Sequence, residues 1–346
     1  MASHRPKRVT LADVAAEAGV SRTTASYILA QSRGGFAQET IERVTRAAAK
    51  LGYSPNPIAQ SLRTGRTLLF GFIIPADLEA SQQHVRCRIE FGIAEEMRKH
   101  RMDMVQVIVP DDEDPCIGQV KDLLNTRLVN GLIVYAPQET PLVPWLQRQE
   151  APFVVIGTPA ASDVTSVDFD NVAIGHCAAQ HLIDVGHVRL VYIASPQCTS
   201  RARDRASGFS RCCADAGISD EQARVVYAED STAGGYNAMR EVLAAACQPT
   251  GVCAGDDWIA NGAAAAIREA GMRVPEDISV LGCNNDGAAC TDRDFLTTVD
   301  LDFAELGALA ARKLVALLGG KPTARRRTVG HRLIPRKSTG PAISGA

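Results

Sequence analysis

The stretch VTLADVAAEAGVSRTTASYILA, residues 9–30, decides how the rest of the chain is read. Thr10 and Asp13 stand in the T-x-x-D spacing of a capping box, just ahead of an apolar run. Val14, Ala15 and Ala18 give one face of a first helix, and Gly19 falls where a tight turn wants a left-handed backbone. Val20 plugs the angle between helices, and Ser21 caps a second helix that turns Ala25, Ile28 and Leu29 inward. Ala15 and Ala25 are small where two helices must cross closely. The pattern is that of a helix-turn-helix.

The second helix turns Arg22, Thr23, Ser26 and Tyr27 outward. An arginine and short polar donors near a helix N-terminus suit base edges and phosphates in a major groove. An ordinary helical hairpin with a solvated face shares the pattern, and charge separates the two. Residues 1–66 hold 10 Lys+Arg against 4 Asp+Glu, a net of +6, whereas the remainder holds 27 against 35, a net of −8. A basic head on an acidic body points to a polyanionic partner for the head.

A third helix follows in QETIERVTRAAAK (38–50), with Ile41, Val44, Ala48 and Leu51 spaced to cover the first two and Gly52 as its stop. The segment 53–67, YSPNPIAQSLRTGRT, reads as a linker. Within it Asn56-Pro57 is an N-cap followed by proline at the first helical position, and Ile58 and Leu62 share one face of a two-turn helix. Such a helix is marginal alone in water and forms only against a partner. An exposed leucine on it can wedge into a minor-groove step; a flexible tether is the alternative.

From residue 68 the period changes. Short apolar runs at 68–75, 102–109, 131–136, 153–157, 189–194, 224–228, 251–255 and 278–283 alternate with helical patterns at 85–100, 173–185, 204–216, 234–247 and 258–270. Continuous apolar strands between helices imply parallel sheets covered on both faces. So many strands imply two lobes, with ligands bound outside the carboxyl ends of the strands. The expected class is α/β: an all-α helix-turn-helix head (1–52), a hinge (53–67), and two doubly wound parallel-sheet lobes. The lobes are expected to comprise 68–168 plus 296–330, and 169–295. Asp170, Asn171, Gly186 and His187 read as capping and turn chemistry around one helix.

The 346 residues, 46% hydrophobic and 22% charged, fit a globular chain of two or three domains. No run approaches the roughly 20 apolar residues of a membrane helix, and the basic N-terminus lacks the apolar core of a secretory signal, so the expected place is the cytosol. The ten cysteines form no C-x-x-C pair or zinc-like cluster and read as reduced core residues.

Across nearly its whole length the sequence resembles the lac repressor/gal repressor (LacI/GalR) family of bacterial regulators. The resemblance is carried in order by VTLADVAAEAGVS, TIERV, AAAKLGYSPNPIAQSLRTGRT, AAQHLIDVGH, the PTGVCAGDD region, GMRVPEDISVLG, LTTVDLDFAELG and PRKST. It implies a homodimer on a pseudo-palindromic double-stranded operator, a hinge helix in the central minor groove, and a periplasmic-binding-protein-like core that takes a small effector. By the same resemblance Arg22 and Thr23 hold the specificity positions of the recognition helix. Thr10, Ser21, Thr24, Ser26 and Tyr27 fall on other contacting positions, and Asn56, Ala59 and Leu62 on the hinge. Tyr27 and Ala30 stand where the family usually has an arginine and an asparagine, which implies a half-site different from the standard one.

In the sensor the resemblance assigns Arg205, in DRASGF, to the effector, with a surface salt bridge to Asp204 as the alternative. PADLEASQQ puts Ser81 and Gln82 where the family has aromatics, and Asp230 also stands where many members have one. The family's Asn-Asp is here Asp256-Asp257, and its Asp-Asp is Asn284-Asn285. Ser81, Arg205, Asp230, Asp256 and Asn284 are the expected effector residues, while Asp257 and Asn285 also read as helix caps. A polar cleft whose one aromatic is Trp258 suits a carbohydrate, although an amine-bearing ligand also fits the acids. No cofactor or membrane partner is expected. No nucleotide-binding loop, nucleophile elbow or zinc-protease motif is present, so neither an enzyme nor an exported solute-binding protein is favoured. The acidic run Asp111 to Asp114 reads as a solvated loop.

Overall fold

The computed structural model describes residues 9–29, 35–53, 67–76, 78, 80–110, 112–136, 139–149, 151–196, 199–245, 247–289, 292 and 294–342. The chain divides into two compact units, Met1–Leu68 and Leu69–Ala346. The hinge residues Asn56, Ala59 and Leu62, together with Ala30 and Asp111, lie outside the described residues.

In the first unit, α1 (Leu11–Ala18), α2 (Arg22–Leu29) and α3 (Gln38–Leu51) enclose a core of Val14, Ala15, Ala25, Ile28, Ile41 and Val44. α1 and α3 end on Gly19 and Gly52, both left-handed at φ 61° and 65°. Each cap amide bonds back to the last carbonyls of its helix, a conformation glycine adopts at no steric cost. Three short helices bury little apolar area, so caps and the small alanines at the crossing matter more here than in a larger core.

The second unit holds two six-stranded sheets. In the first lobe the order is β11-β5-β4-β3-β1-β2, with β1 (Leu69–Pro75), β2 (Asp103–Val109), β3 (Leu132–Tyr135), β4 (Phe153–Ile156), β5 (Ser166–Phe169) and β11 (Arg326–Val329). In the second the order is β12-β10-β9-β8-β6-β7, with β6 (Leu190–Ala194), β7 (Ala223–Tyr227), β8 (Gly251–Ala254), β9 (Ser279–Asn284), β10 (Thr297–Leu301) and β12 (His331–Ile334). All pairings are parallel except β12 on β10. Strands β3, β6 and β8 are buried along their whole length, and β1 between its end residues, Phe70 and Phe72 included, as strands covered by helices on both faces must be.

The covering helices of the first lobe are α4 (Ala80–Lys99), α5 (Glu113–Asn125), α6 (Leu142–Gln147) and α11 (Phe303–Leu318). Those of the second are α7 (Asn171–Asp184), α8 (Ser200–Asp215), α9 (Thr232–Leu243) and α10 (Asp257–Glu269). α4 and α11 approach so closely that a Cβ on Gly92 would overlap the backbone of Ala304, and one on Gly307 that of Ile89. The chain passes between lobes at Asp170, Asp302 and Gly330. The first two cap the helices that follow, accepting from the amides of Ala173 and Glu305.

Several expectations are corrected. The sequence reading returned the chain to the first lobe at 296, but β10 pairs with β9 (Thr297 opposite Leu281, Asp300 opposite Asn284) and stays in the second lobe. The return begins at Asp302, and β12 brings the last strand back to the second sheet. Strands β5, β10, β11 and β12 and helices α5, α6 and α11 lie outside the elements expected from sequence. Glu113 and Asp114 belong to the first turn of α5, not to a loop, because carboxylates favour the positive end of a helix. Cys116, Cys212, Cys213, Cys253 and Cys283 are buried and burial raises the four thiols in the second lobe, whereas Cys87 and Cys247 are exposed and not core residues.

Candidate nucleic-acid interface and ligand cleft

In the head, the amide of Thr10 donates to Asp13 Oδ2 at 2.8 Å and the amide of Asp13 to Thr10 Oγ1 at 3.4 Å. The Thr10 hydroxyl also donates to Asp13 Oδ2, so this side chain, expected to contact DNA, is engaged in the cap. Ser21 Oγ accepts the Thr24 amide at 3.0 Å and lies 2.8 Å from Thr24 Oγ1, so these two expected contact residues start α2 as a pair. Arg22, Thr23 and Tyr27 are exposed, Ser26 is half-buried, and Ala25 and Ile28 face the core. At about 100° per residue the four outward positions span an arc of about 140°. α2 has no acid in its first turn and begins with Arg22, whereas α1 has Asp13 and α3 has Glu39. A cation at the positive end of a helix is unfavourable in isolation and favourable beside an anion. The local electrostatics of α2 therefore suit a polyanion.

In the second unit an opening lies between the lobes, lined from both of them. The first lobe contributes apolar walls from Val85, Ile89, Phe303 and Leu306, and polar groups come from Thr158, Asp168, Asn171, Arg201, Arg205 and Asn284. Of the expected effector residues, Arg205 and Asn284 line this opening. Ser81 lies on α4, with its side chain outside the described set.

Arg205 is buried and is not in a surface salt bridge with Asp204. Its Nε donates to Asn171 Oδ1 at 2.9 Å and its Nη1 to the carbonyl of Gly255 at 2.8 Å. α7 comes close enough for this because Gly175 faces the backbone of Arg205, where a Cβ would overlap the carbonyl. Asn171 thus acts as the partner of Arg205, not as the cap read from sequence; Asp170 is the cap.

Asp230 does not line the opening itself. It accepts from Arg201 Nη2 at 2.5 Å and, across the cleft, from Gln82 Nε2 on α4 at 3.4 Å. Asp256 caps α10, accepting the Ile259 amide at 2.8 Å, and so takes the capping role that sequence assigned to its neighbour. Burial, then the charge of Asp230, pushes the Asp256 carboxyl up to about 7. Burial pushes Asp257 up to about 8 although Thr298 Oγ1 and the Asp286 amide both donate to it. Asp168 is raised by burial and partly held down by the Thr158 hydroxyl at 2.7 Å. Asn284 has a left-handed φ of 97°, and its Oδ1 is buried with no hydrogen-bond partner among the described residues. Asn285 bridges Asp300 and Arg336, and neither Asp257 nor Asn285 is a helix cap. Trp258 donates to Asp286 Oδ2 at 3.0 Å and sets its ring 5.9 Å from that of His84 in the other lobe.

Sequence reasoning missed Arg201, Asp168 and Arg88. Arg201 and Arg205 are four apart on α8, a spacing that places two guanidiniums on one face. Asp168 lies near the carboxyl end of β5, where such folds bind ligands. Arg88 had no local signal: it reaches from α4 to the carbonyls of Asn284 and Leu301, both at 2.8 Å, over the ring of Phe303. Among the described residues no group of His, Cys, Asp and Glu is placed to hold a metal ion. No described helix is long and apolar enough to cross a membrane.

Residues 10–56 match the family described as bacterial regulatory proteins, lacI family, and residues 179–339 match the periplasmic binding protein-like domain. The chain is 31% identical over 320 residues to the HTH-type transcriptional repressor PurR of Pectobacterium carotovorum subsp. carotovorum (strain PC1), covering 90% of this chain and 91% of that protein. It is 30% identical over 325 residues to the HTH-type transcriptional regulator CelR of Thermobifida fusca, covering 92% and 94%. Among solved structures, the lac repressor dimer bound to operator and the anti-inducer ONPF matches with a TM-score of 0.84 at 27% identity, covering 96% of this chain and all of that one. A CelR–cellobiose complex matches with a TM-score of 0.70 at 28% identity over the same shares.

Proposed function

The chain belongs to the lacI family of bacterial regulatory proteins, and on that premise we propose a repressor that binds a pseudo-palindromic operator as a homodimer and is controlled by a carbohydrate effector held between the lobes. It is a DNA-binding transcriptional regulator and not an enzyme. The observation that carries the operator reading is the exposed, acid-free start of α2, where Arg22 and Thr23 stand on a basic head. Dimerisation is supported by Phe91 on α4 and Ile108 on the edge strand β2, 65% and 61% exposed. Gln106 donates to Glu90 beside them, which joins the two elements into one surface. Apolar groups exposed in that way mark contact surfaces. Trp258 does not line the opening and Tyr135, Phe169 and Phe303 do, so the cleft is not the aromatic-poor one expected; a carbohydrate effector is supported by its polar groups set against this apolar and aromatic wall and by the likeness to a relative solved with cellobiose. Asn56, Ala59 and Leu62 are proposed to fold as a hinge helix on the operator.

The mechanism is linkage. An effector that binds the two lobe arrangements unequally shifts their equilibrium, and a head whose DNA affinity differs between them follows. The test is selection of bound fragments from random duplex DNA by the full-length protein. A symmetric pair of half-sites is expected. Enrichment of a single asymmetric half-site would refute the dimer, and no enrichment would refute the operator reading.

A further inference from the structure

The charges at the cleft are set in pairs, and two of its buried polar atoms have no hydrogen-bond partner among the described residues. We propose that Arg201 and Asp230 form a charge filter that restricts the ligand of the cleft to an uncharged, polyhydroxylated ring. The inference rests on the effector reading above and deepens it by naming the ligand class and the residues that select it.

Arg201 lines the opening, and Asp230 stands behind it at 2.5 Å with a side chain only 2% exposed. The guanidinium is thus fixed by one edge, and its Nε remains buried without a hydrogen-bond partner among the described residues. Asn284 Oδ1, in the same opening and equally buried, is in the same condition. The first atom needs an acceptor and the second a donor, because buried polar groups left unmatched are costly. A hydroxyl group supplies both functions. A carboxylate or phosphate dianion has no hydrogen to give Asn284, and an ammonium has no lone pair to offer Arg201.

The charge balance points the same way. Arg201 pairs with Asp230, and both Arg201 and Arg205 act on Asp168, whose carboxyl burial raises above its ordinary value. An added anion meets the two carboxylates, an added cation meets the two guanidiniums, and neither brings a counter-charge of its own. Burial and the charge of Asp230 raise the Asp256 carboxyl as well. Gln82 reaches Asp230 from the opposite lobe, so closing the cleft holds the carboxylate of the filter in place. Val85, Ile89, Phe303 and Leu306 then give the C–H face of a sugar ring an apolar wall.

The experiment is thermal melting of the full-length protein with neutral pentoses, hexoses and disaccharides, the matching uronates, sugar phosphates and amino sugars, and free purine bases. Stabilisation by one or more neutral sugars, and by none of the charged counterparts, is expected. Stabilisation by a charged sugar overturns the filter while leaving the effector site standing. Stabilisation by purine bases alone overturns the polyhydroxylated class, and no stabilisation by any compound overturns the effector reading itself. Calorimetry then compares the neutral hit with its uronate on Asp230→Asn, which leaves Arg201 uncompensated. Affinity for the uronate relative to the neutral sugar should rise about tenfold or more, since like-charge contacts are strongly unfavourable. An unchanged ratio refutes the filter. If Asp230→Asn does not fold, the double variant Arg201→Ser with Asp230→Ser removes both charges together. It should weaken discrimination against both charged analogues, and unaltered discrimination refutes the proposal.

Discussion

Replacing Arg205 by alanine tests how the cleft is built. Two of its hydrogen bonds are fully buried, to Asn171 Oδ1 at 2.9 Å and to the Gly255 carbonyl at 2.8 Å. Truncation leaves both acceptors without that donor, at about 1–3 kcal/mol for each group so orphaned. Water can enter the vacated space and donate to the orphaned oxygens, which places the net loss near the low end, about 2–4 kcal/mol. The two tryptophans, Trp145 on α6 and Trp258 on α10, both lie in the second unit, so their fluorescence follows that unit and not the head. Guanidinium unfolding of wild type and Arg205→Ala, read by that fluorescence, should show the midpoint falling at an unchanged slope. Loss of effector response is expected as well, and without the stability measurement it would be misread as lost ligand contact alone. A variant within about 0.5 kcal/mol of wild type, the range of ordinary surface changes, would refute the argument that these bonds hold α7 to α8.

Thr10→Ala removes the capping box and should cost the head about 0.5–2 kcal/mol; hydrogen exchange in the full chain should show faster exchange of the α1 amides, and equal protection would count against the cap. Operator affinity should fall by about 0.9 log unit per log unit of salt for each phosphate neutralised, measured by fluorescence anisotropy, and a flat profile contradicts phosphate contact by the head. If the chain forms the proposed dimer through this face, Phe91→Asp together with Ile108→Asp should leave a monomer in sedimentation equilibrium, and a dimer undisturbed by the pair would place the interface elsewhere. Burial lowers the His187 pKa from 6.5, so the unfolded chain takes up a proton that the folded one resists. That contribution to stability is present above about 6.5 and is lost as pH falls from there toward the folded pKa; His187→Gln should melt with a shallower acid dependence than wild type over that window. Identical pH profiles would show that His187 does not titrate on unfolding.

Much of the head was legible because its determinants are local. Thr10 and Asp13 are three apart, Gly19 and Gly52 stop helices by backbone conformation, and Ser21 caps α2 through the Thr24 amide. Central strands such as Leu190–Ala194 and Gly251–Ala254 were legible as unbroken apolar runs. Edge and crossing strands were not. Thr297–Leu301 mixes polar and apolar residues, and Arg326–Val329 is largely exposed.

The sequence by itself determined the helix-turn-helix, the alternation of strands and helices that makes two doubly wound lobes, the basic head on the acidic body, and the arginine of the DRASGF motif. Only the tertiary structure decided that β10 pairs within the second sheet and that Arg205 is held by Asn171. It also decided that Arg201 meets Asp230, that Gln82 reaches the same carboxylate from 148 residues away, and that Arg88 spans 196 residues to the carbonyl of Asn284. Caps, turns and apolar periods act over one or two turns of chain, so they leave a mark in the spacing of residues. A hydrogen bond between lobes depends on where distant elements come to rest to within a few tenths of an ångström, and that position is set by the packing of the whole sensor.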